Sequence, residues 1–385
     1  MTESSLTSRA AAGAAALWNA AARVRIGLYR RGLLPKRRLN AKVISIGNIA
    51  WGGTGKTPFT IWLARRLADS GLRLSILTRG HRRTSRARVH IIPPHTPPED
   101  ASDAGDEVQL YLRNLRDARI PIGVAASRYE AGKLLEEQFP VDVHLLDDGF
   151  QHVALARDLD LALVDAENPW GRRGAFSSLL RESPAALARA DAVLLTRCEL
   201  LDSASGPNSV EGLRAALLRC NPRAEFFAVR TELIGFRGSP DNGLLHAEKF
   251  RLLRPFAFCE LGNPRAFFRT LEQAGIALVG QKTFPDHHRY GASDLAALER
   301  TAAAGADCLL TTEKDWVNLP VETSLRLPLY WTEIGLRVEE ESRLLRWISR
   351  RLELPEPGPS DAALGRADQE NPRARMVSES KLGRL

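Results

Sequence analysis

Cysteine is scarce: Cys198, Cys220, Cys259 and Cys308 are the only four in 385 residues, far apart and without a CxxC pair. That spacing argues against a zinc ribbon or a disulfide framework and fits a reducing compartment. Long apolar runs are also missing. No stretch reaches 18 residues, so no transmembrane helix is expected. The nearest candidate, residues 10–22, is alanine-dominated and interrupted by Asn19, and Glu3 precedes it where a secretory signal would carry basic residues. Aromatic residues make up only 6% of the chain and no RNA-type stacking motif appears, which argues against a nucleic-acid partner. No internal repeat is present, and nothing in the sequence calls for a protein partner.

What is present is ordinary globular composition, 44% hydrophobic and 26% charged, in a chain long enough for about two domains. A chain of this size buries a core without help from metals or crosslinks. Its balance is basic: 54 Lys+Arg against 46 Asp+Glu give +8, favouring acidic partners such as anionic lipid or a phosphorylated substrate. The excess is clustered at Arg30, Arg31, Lys36, Arg37, Arg38 and Lys42, and again at Arg79, Arg82, Arg83, Arg86 and Arg88. Upstream, Leu17, Trp18, Ala21, Val24, Ile26, Leu28 and Tyr29 alternate with Arg23, Arg25, Arg30 and Arg31. Such a helix either lies in a membrane interface or packs on the protein's own core.

From residue 41 to about 230 short β-branched runs alternate with amphipathic stretches. Strands are expected at 42–47, 73–78, 121–125, 143–147, 159–164, 192–196 and 225–229, with helices at 57–68 and 127–138 among them. This is the pattern of an α/β fold with a parallel sheet covered by helices on both faces. Residues 230–249, richer in glycine and polar groups, read as a crossing to a second, smaller α/β unit. That unit carries strands at 256–259, 276–282, 308–311 and 327–331 and helices at 264–274, 293–303 and 338–352. The chain thus divides into a basic amphipathic segment (1–40), a phosphate-loop domain (41–230), a smaller lobe (231–354) and a proline-bearing tail without aromatics (355–385), expected to be disordered.

The most informative segment is VISIGNIAWGGTGKTP, residues 43–58. A β-branched strand runs into a glycine loop, Ala50-Trp51-Gly52-Gly53-Thr54-Gly55, and Lys56-Thr57 opens an amphipathic helix. Successive backbone N–H groups and the positive helix end wrap a polyphosphate there. Lys56 is placed to reach the β- and γ-phosphates and the Thr57 hydroxyl to ligate Mg²⁺. The strict pattern has glycine where Ala50 stands; Gly52 and Gly53 supply the flexibility. Downstream, the apolar strand 143–147 ends in Asp147 and Asp148, carboxylates that hold Mg²⁺ when they sit at the strand ends beside a phosphate loop. The following Gly149-Phe150-Gln151-His152 reads as too polar for a core strand and is expected to line the same edge. No NKxD guanine motif is evident, which favours ATP over GTP.

In these segments the chain resembles the tetraacyldisaccharide 4′-kinases, the lipid A 4′-kinase family of bacteria with outer membranes. The resemblance is carried by GN-x-x-x-GGTGKTP (47–58), TRG (78–80), AGDE (104–107), SRY (127–129), LDDGFQH (146–152), LLRE (179–182), FPDHH (284–288) and TTEKD (311–315). They run in the family's order over residues 40–320. The resemblance implies an ATP- and Mg²⁺-dependent kinase. It phosphorylates the 4′-hydroxyl of a lipid disaccharide 1-phosphate at the cytoplasmic face of the inner membrane, between two α/β/α lobes. It also implies Asp106 as the base-side carboxylate, partnered by His287, with Glu182 an acidic position near the site. Arg79, Arg128, Gln151 and His152 are further site candidates. Ser183, Val108 and His81 depart from the family's usual residues beside three of these motifs. Because a tetraacylated acceptor stays in its bilayer, the basic N-terminal segment is expected to attach the enzyme to an anionic membrane surface.

Overall fold

The computed structural model describes residues 24–356, apart from residues 25, 30, 172, 175–176, 179, 202–204, 239–242, 262, 286–287, 304 and 321–324. Most of the expected N-terminal helix, nearly all of the tail, and His287 therefore lie outside the described residues.

Seven strands build the first part of the sheet: β1 (Lys42–Asn48), β2 (Leu74–Thr78), β3 (Val89–Ile92), β4 (Ile122–Ala125), β5 (Val143–Asp147), β6 (Leu159–Asp165) and β7 (Ala192–Thr196). The long strand β8 (Glu225–Gly238) follows, then β9 (Leu244–Leu245), β10 (Pro255–Cys259), β11 (Gly280–Thr283), β12 (Cys308–Thr312) and β13 (Leu329–Val338). The principal helices are α1 (Lys56–Asp69), α2 (Asp106–Asn114), α3 (Arg128–Gln138), α4 (Val210–Cys220), α5 (Pro264–Gln273), α6 (Ala292–Ala302), α7 (Glu313–Val317) and α8 (Glu341–Leu352). All thirteen strands join one sheet, ordered β11-β10-β12-β13-β8-β7-β6-β1-β5-β2-β4-β3 with β9 beside β8. Pairing is parallel except where β8 meets β13 and β9, and where β3 meets β4.

Period-two alternation explains why helices cover both faces. Val43, Leu77 and Leu146 pack against Ala131 and Leu135 of α3. Their neighbours Ile44, Ile76 and Leu145 face the opposite core with Phe59, Leu63 and Leu67 of α1, Val108 and Tyr111 of α2, and Leu344 and Ile348 of α8. The same division recurs later. Phe256, Phe258 and Leu309 pack on α6, whereas Ala257, Cys259 and Leu310 pack on α5.

The junction differs from its sequence reading. Residues 230–238, expected to be an irregular crossing, continue β8. Its first residues pair with β7, and from Val229 onward it pairs antiparallel with β13, with a register shift between Leu233 and Gly235. Half-exposed residues on this ribbon gave it a polar look. β13 likewise runs to Val338 rather than stopping at 331, and α8 begins only at Glu341, after Glu340 turns through φ 58°. A further strand beyond the expected ones, the short antiparallel edge strand β3, is framed by Arg88 and Pro93.

Candidate active site

β1 delivers the chain into the loop Ile49–Gly55, and Gly55 caps α1. Gly52 and Gly55 turn through φ of 99° and 83°, left-handed conformations open to residues without Cβ. Side chains fasten the loop from three sides. Asn48 Nδ2 donates to Thr54 Oγ1 at 2.7 Å, Thr196 Oγ1 donates to the Thr54 carbonyl at 3.0 Å, and Arg197 donates to the Gly53 carbonyl. Ala50, at the position where the strict pattern has glycine, forms a single antiparallel bridge with Leu180, and the amides of Arg181 and Glu182 both donate to the Ile49 carbonyl. Trp51 is 51% exposed and the Arg181 guanidinium lies 4.7 Å over its ring.

Lys56 Nζ stands 3.5 Å from Asp148 Oδ1, so the strand end and the loop lysine meet. Asp148 takes a left-handed φ of 49° and accepts from Arg181 at 2.7 Å on both carboxylate oxygens. Burial works against its charge, but Lys56 and Arg181 outweigh burial and hold the carboxyl well below the usual range. Its neighbour Asp147 goes the other way. It is buried at the end of β5, and burial, then the Glu107 and Asp148 charges, push its carboxyl up to about 7. Thr78 Oγ1 lies 3.4 Å from Asp147 Oδ2, while Oδ1 is buried without a hydrogen-bond partner.

Two carboxylates at the end of β5, with the loop lysine 3.5 Å from Asp148, are a donor set that fits a divalent cation. Among the described residues no set of three or more His, Cys, Asp or Glu side chains forms a cage.

The residues after Asp148 serve the loop's underside. Gly149 donates to the Ile46 carbonyl at 2.9 Å, and Phe150, expected at the edge, is instead fully buried. A side chain on Gly47 would strike Phe150, which explains the glycine there. Gln151 donates to the Asn48 carbonyl at 2.8 Å and to Glu182 Oε1 at 2.9 Å. Glu182 is buried and also bound by Arg189, so the site acid of the LLRE segment supports the loop from behind. His152 closes that turn, its amide donating to the Gly149 carbonyl at 2.8 Å. Arg128 is buried with its guanidinium donating to the Ala126 carbonyl at 3.0 Å; burial pulls it down to about 10, against the attraction of Asp148. Arg79 is exposed at the end of β2.

Asp106 opens α2, and it does not cap that helix, for Gly105 holds the cap position at φ 109°. A side chain on Gly105 would collide with the His81 carbonyl and one on Gly80 with the Ala104 carbonyl. The TRG and AGDE segments are thus folded onto one another by two glycines. Glu107 turns inward, accepts from the His81 amide at 3.1 Å, and is pushed up by burial. Asp106 faces the second part of the sheet. Arg82 donates to its Oδ2 at 3.0 Å, and the same guanidinium donates to Glu260 Oε2 at 3.2 Å and the His288 carbonyl at 3.0 Å. Lys314 lies 3.2 Å from Glu260. The acid of TTEKD holds this wall together: Asp315 accepts from Tyr290 Oη at 2.8 Å and from the Glu260 amide at 2.9 Å.

A family model described as tetraacyldisaccharide-1-P 4'-kinase (LpxK) matches residues 8–353. The chain belongs to this family. It is 39% identical over 325 residues to the tetraacyldisaccharide 4'-kinase of Syntrophobacter fumaroxidans, spanning 83% of this chain and 82% of that protein. The Koribacter versatilis enzyme of the same name is 34% identical over 346 residues, spanning 88% and 97%. The crystal structure of LpxK from Aquifex aeolicus, an "apo" form in complex with ATP, superposes with a TM-score of 0.64 at 27% identity, covering 88% of this chain and 97% of that one.

For a member of the tetraacyldisaccharide 4'-kinase family, the geometry sorts the expected residues into three groups. Ala50 through Thr57, Asp147, Asp148 and Arg128 converge at the strand ends; Gln151, His152 and Glu182 lie behind the loop; Asp106 stands beside Arg82 where the two parts of the sheet meet, and Arg79 is exposed at the end of β2. Thr196, Arg197, Arg82 and Glu260 were not singled out as site residues. The only signals were positional: Thr196 and Arg197 end the strand two places from β1, and Arg82 follows the TRG turn inside an arginine run.

Proposed function

We propose that this chain transfers the γ-phosphate of ATP to the 4′-hydroxyl of a tetraacyl glucosamine disaccharide 1-phosphate, a step of lipid A biosynthesis. The carrying observation is the glycine loop, fastened by Asn48, Thr196 and Arg197 and joined by Lys56 to Asp148, in a chain that matches the family over residues 8–353. Backbone amides of residues 50–57 grip the triphosphate, and Lys56 exchanges Asp148 for the β- and γ-phosphates. Thr57 with Asp147 and Asp148 would hold Mg²⁺, which supplies charge neutralisation on the phosphate oxygens.

In the transfer the 4′-oxygen attacks the γ-phosphorus, the bond to the β–γ bridging oxygen breaks, and ADP departs with that electron pair. The hydroxyl proton passes to Asp106, with His287 assigned to orient it. A positioned acceptor is required because an alcohol does not ionise near neutrality. Lys56, Arg128 and Arg79 offset the negative charge on the transferring group.

Among the described residues no helix is long and apolar enough to cross a membrane. Attachment at the cytoplasmic face through residues 10–38 is supported by Leu33, 65% exposed among exposed Arg31, Lys36, Arg37 and Arg38. The deciding experiment is ³²P transfer from γ-labelled ATP to the lipid disaccharide 1-phosphate, with Asp106→Ala and Lys56→Ala alongside. Labelling by wild type that both substitutions abolish is expected. Absence of any lipid label with the wild-type protein overturns the assignment.

A further inference from the structure

Arg82 joins the two parts of the sheet at Asp106. It sits in the turn after β2 at φ 60°, a conformation that non-glycine side chains seldom hold without support. The support is visible. One guanidinium donates to Asp106 Oδ2 from the phosphate-loop side, and to Glu260 Oε2 and the His288 carbonyl from the opposite side. Glu260 is 0% exposed, and a carboxylate that deeply buried needs cations; among the described residues Arg82 and Lys314 pair with it. Asn318 spans the same pair, its Nδ2 lying 3.4 Å from Asp106 Oδ2 and 3.5 Å from Glu260 Oε1. Both contacts on Asp106 fall on one oxygen, so they fix the rotation of the carboxylate.

We propose that Arg82 is a positioning residue for phosphoryl transfer: its forked guanidinium orients Asp106 only while Glu260 and the His288 carbonyl of the opposite wall are seated against it. This rests on the kinase assignment and adds to it a means by which apposition of the two walls is felt at the proton acceptor. A planar fork is suited to the task because it makes several directed bonds at once, which an ammonium cannot reproduce. None of its partners belongs to the phosphate loop, so nucleotide affinity is independent of it.

The test compares wild type, Arg82→Ala, Arg82→Lys, Glu260→Gln and the Arg82→Ala/Glu260→Gln double variant in steady-state transfer to the lipid acceptor. Misplacing a reacting group by about 1 Å costs on the order of 10²-fold, so Arg82→Ala should lower kcat about 10- to 100-fold. The KM for ATP should stay within about twofold, Arg82→Lys should recover part of the loss, and the double variant should be no slower than Arg82→Ala alone. A kcat for Arg82→Ala within twofold of wild type, or losses that multiply in the double variant, overturns the proposal. Wild type that labels no lipid instead removes the kinase assignment, and amide exchange then decides on Arg82. Residues 284–290 should exchange faster in both Arg82→Ala and Glu260→Gln; unchanged exchange refutes the cross-wall contact. Should Arg82→Ala not fold, Arg82→Gln takes its place in every arm.

Discussion

Two consecutive acid pairs, Asp147–Asp148 below the loop and Asp106–Glu107 beside Arg82, have the same composition of charge and are divided in the same manner. In each, one carboxylate turns into the interior and is pushed up by burial, Asp147 at the strand end and Glu107 beneath the His81 amide. The other is drawn outward by cations: Asp148 by Lys56 and Arg181, Asp106 by Arg82. The pairs also differ. Asp148's cations come from the loop and from the segment that braces it, whereas Arg82 is itself tied to the far wall through Glu260. The lesson is that adjacent carboxylates acquire different chemistry from their surroundings, and that only the second pair depends on where the other part of the molecule stands.

The hardest blow to this comparison is Lys56→Ala, which removes the loop cation that both divides the first pair and meets the phosphates. Lipid labelling should fall about 10³-fold or more. Gly105→Ala strikes the second pair by forcing a side chain against the His81 carbonyl at φ 109°. It should cost about 2–4 kcal/mol in denaturant unfolding, with transfer lost in proportion to the displaced Asp106.

Contrasting pH dependence sharpens the division. Because the folded Asp147 carboxyl lies at about 7, above its unfolded value, the folded state loses stability as pH rises from the ordinary carboxylate range through 7. Without Mg²⁺ and nucleotide, Asp147→Asn should therefore melt higher than wild type above pH 7, by on the order of 4 kcal/mol at most, and the gain should fade toward pH 4. Asp148→Asn should show the opposite sign. Its depressed carboxyl stabilises the fold above the unfolded carboxylate range, so the variant should melt lower at neutral pH, with the deficit closing only in acid. The mildest perturbation is Tyr290→Phe, which takes one hydrogen bond from Asp315 behind the far wall. It should cost about 1 kcal/mol in melting and leave the KM for ATP unchanged.

The phosphate loop and the β5 strand end were legible in the sequence because their chemistry is local: glycines, lysine, threonine and a terminal carboxylate within a few residues of each other. Strand positions followed from β-branched runs in the same way. The long β8 was not legible, since its outer part alternates exposed polar residues whose pairing with β13 lies a hundred residues away. Phe150 misled for a related reason. A polar neighbourhood suggested the edge, yet Phe150 closes a core. Arg82 was hidden inside an arginine run, where only tertiary placement separates it from the exposed Arg86 and Arg88.

The return of the chain along β13 into α8 has a consequence for biogenesis. Leu344, Leu345, Ile348 and Leu352 complete the same core as Phe59 and Leu63 of the loop helix, and Glu341 pairs with Arg66 of that helix at 2.8 Å. A nascent chain still lacking α8 on the ribosome leaves that core open, so the nucleotide cradle made earlier in translation matures only once residues 341–352 have emerged.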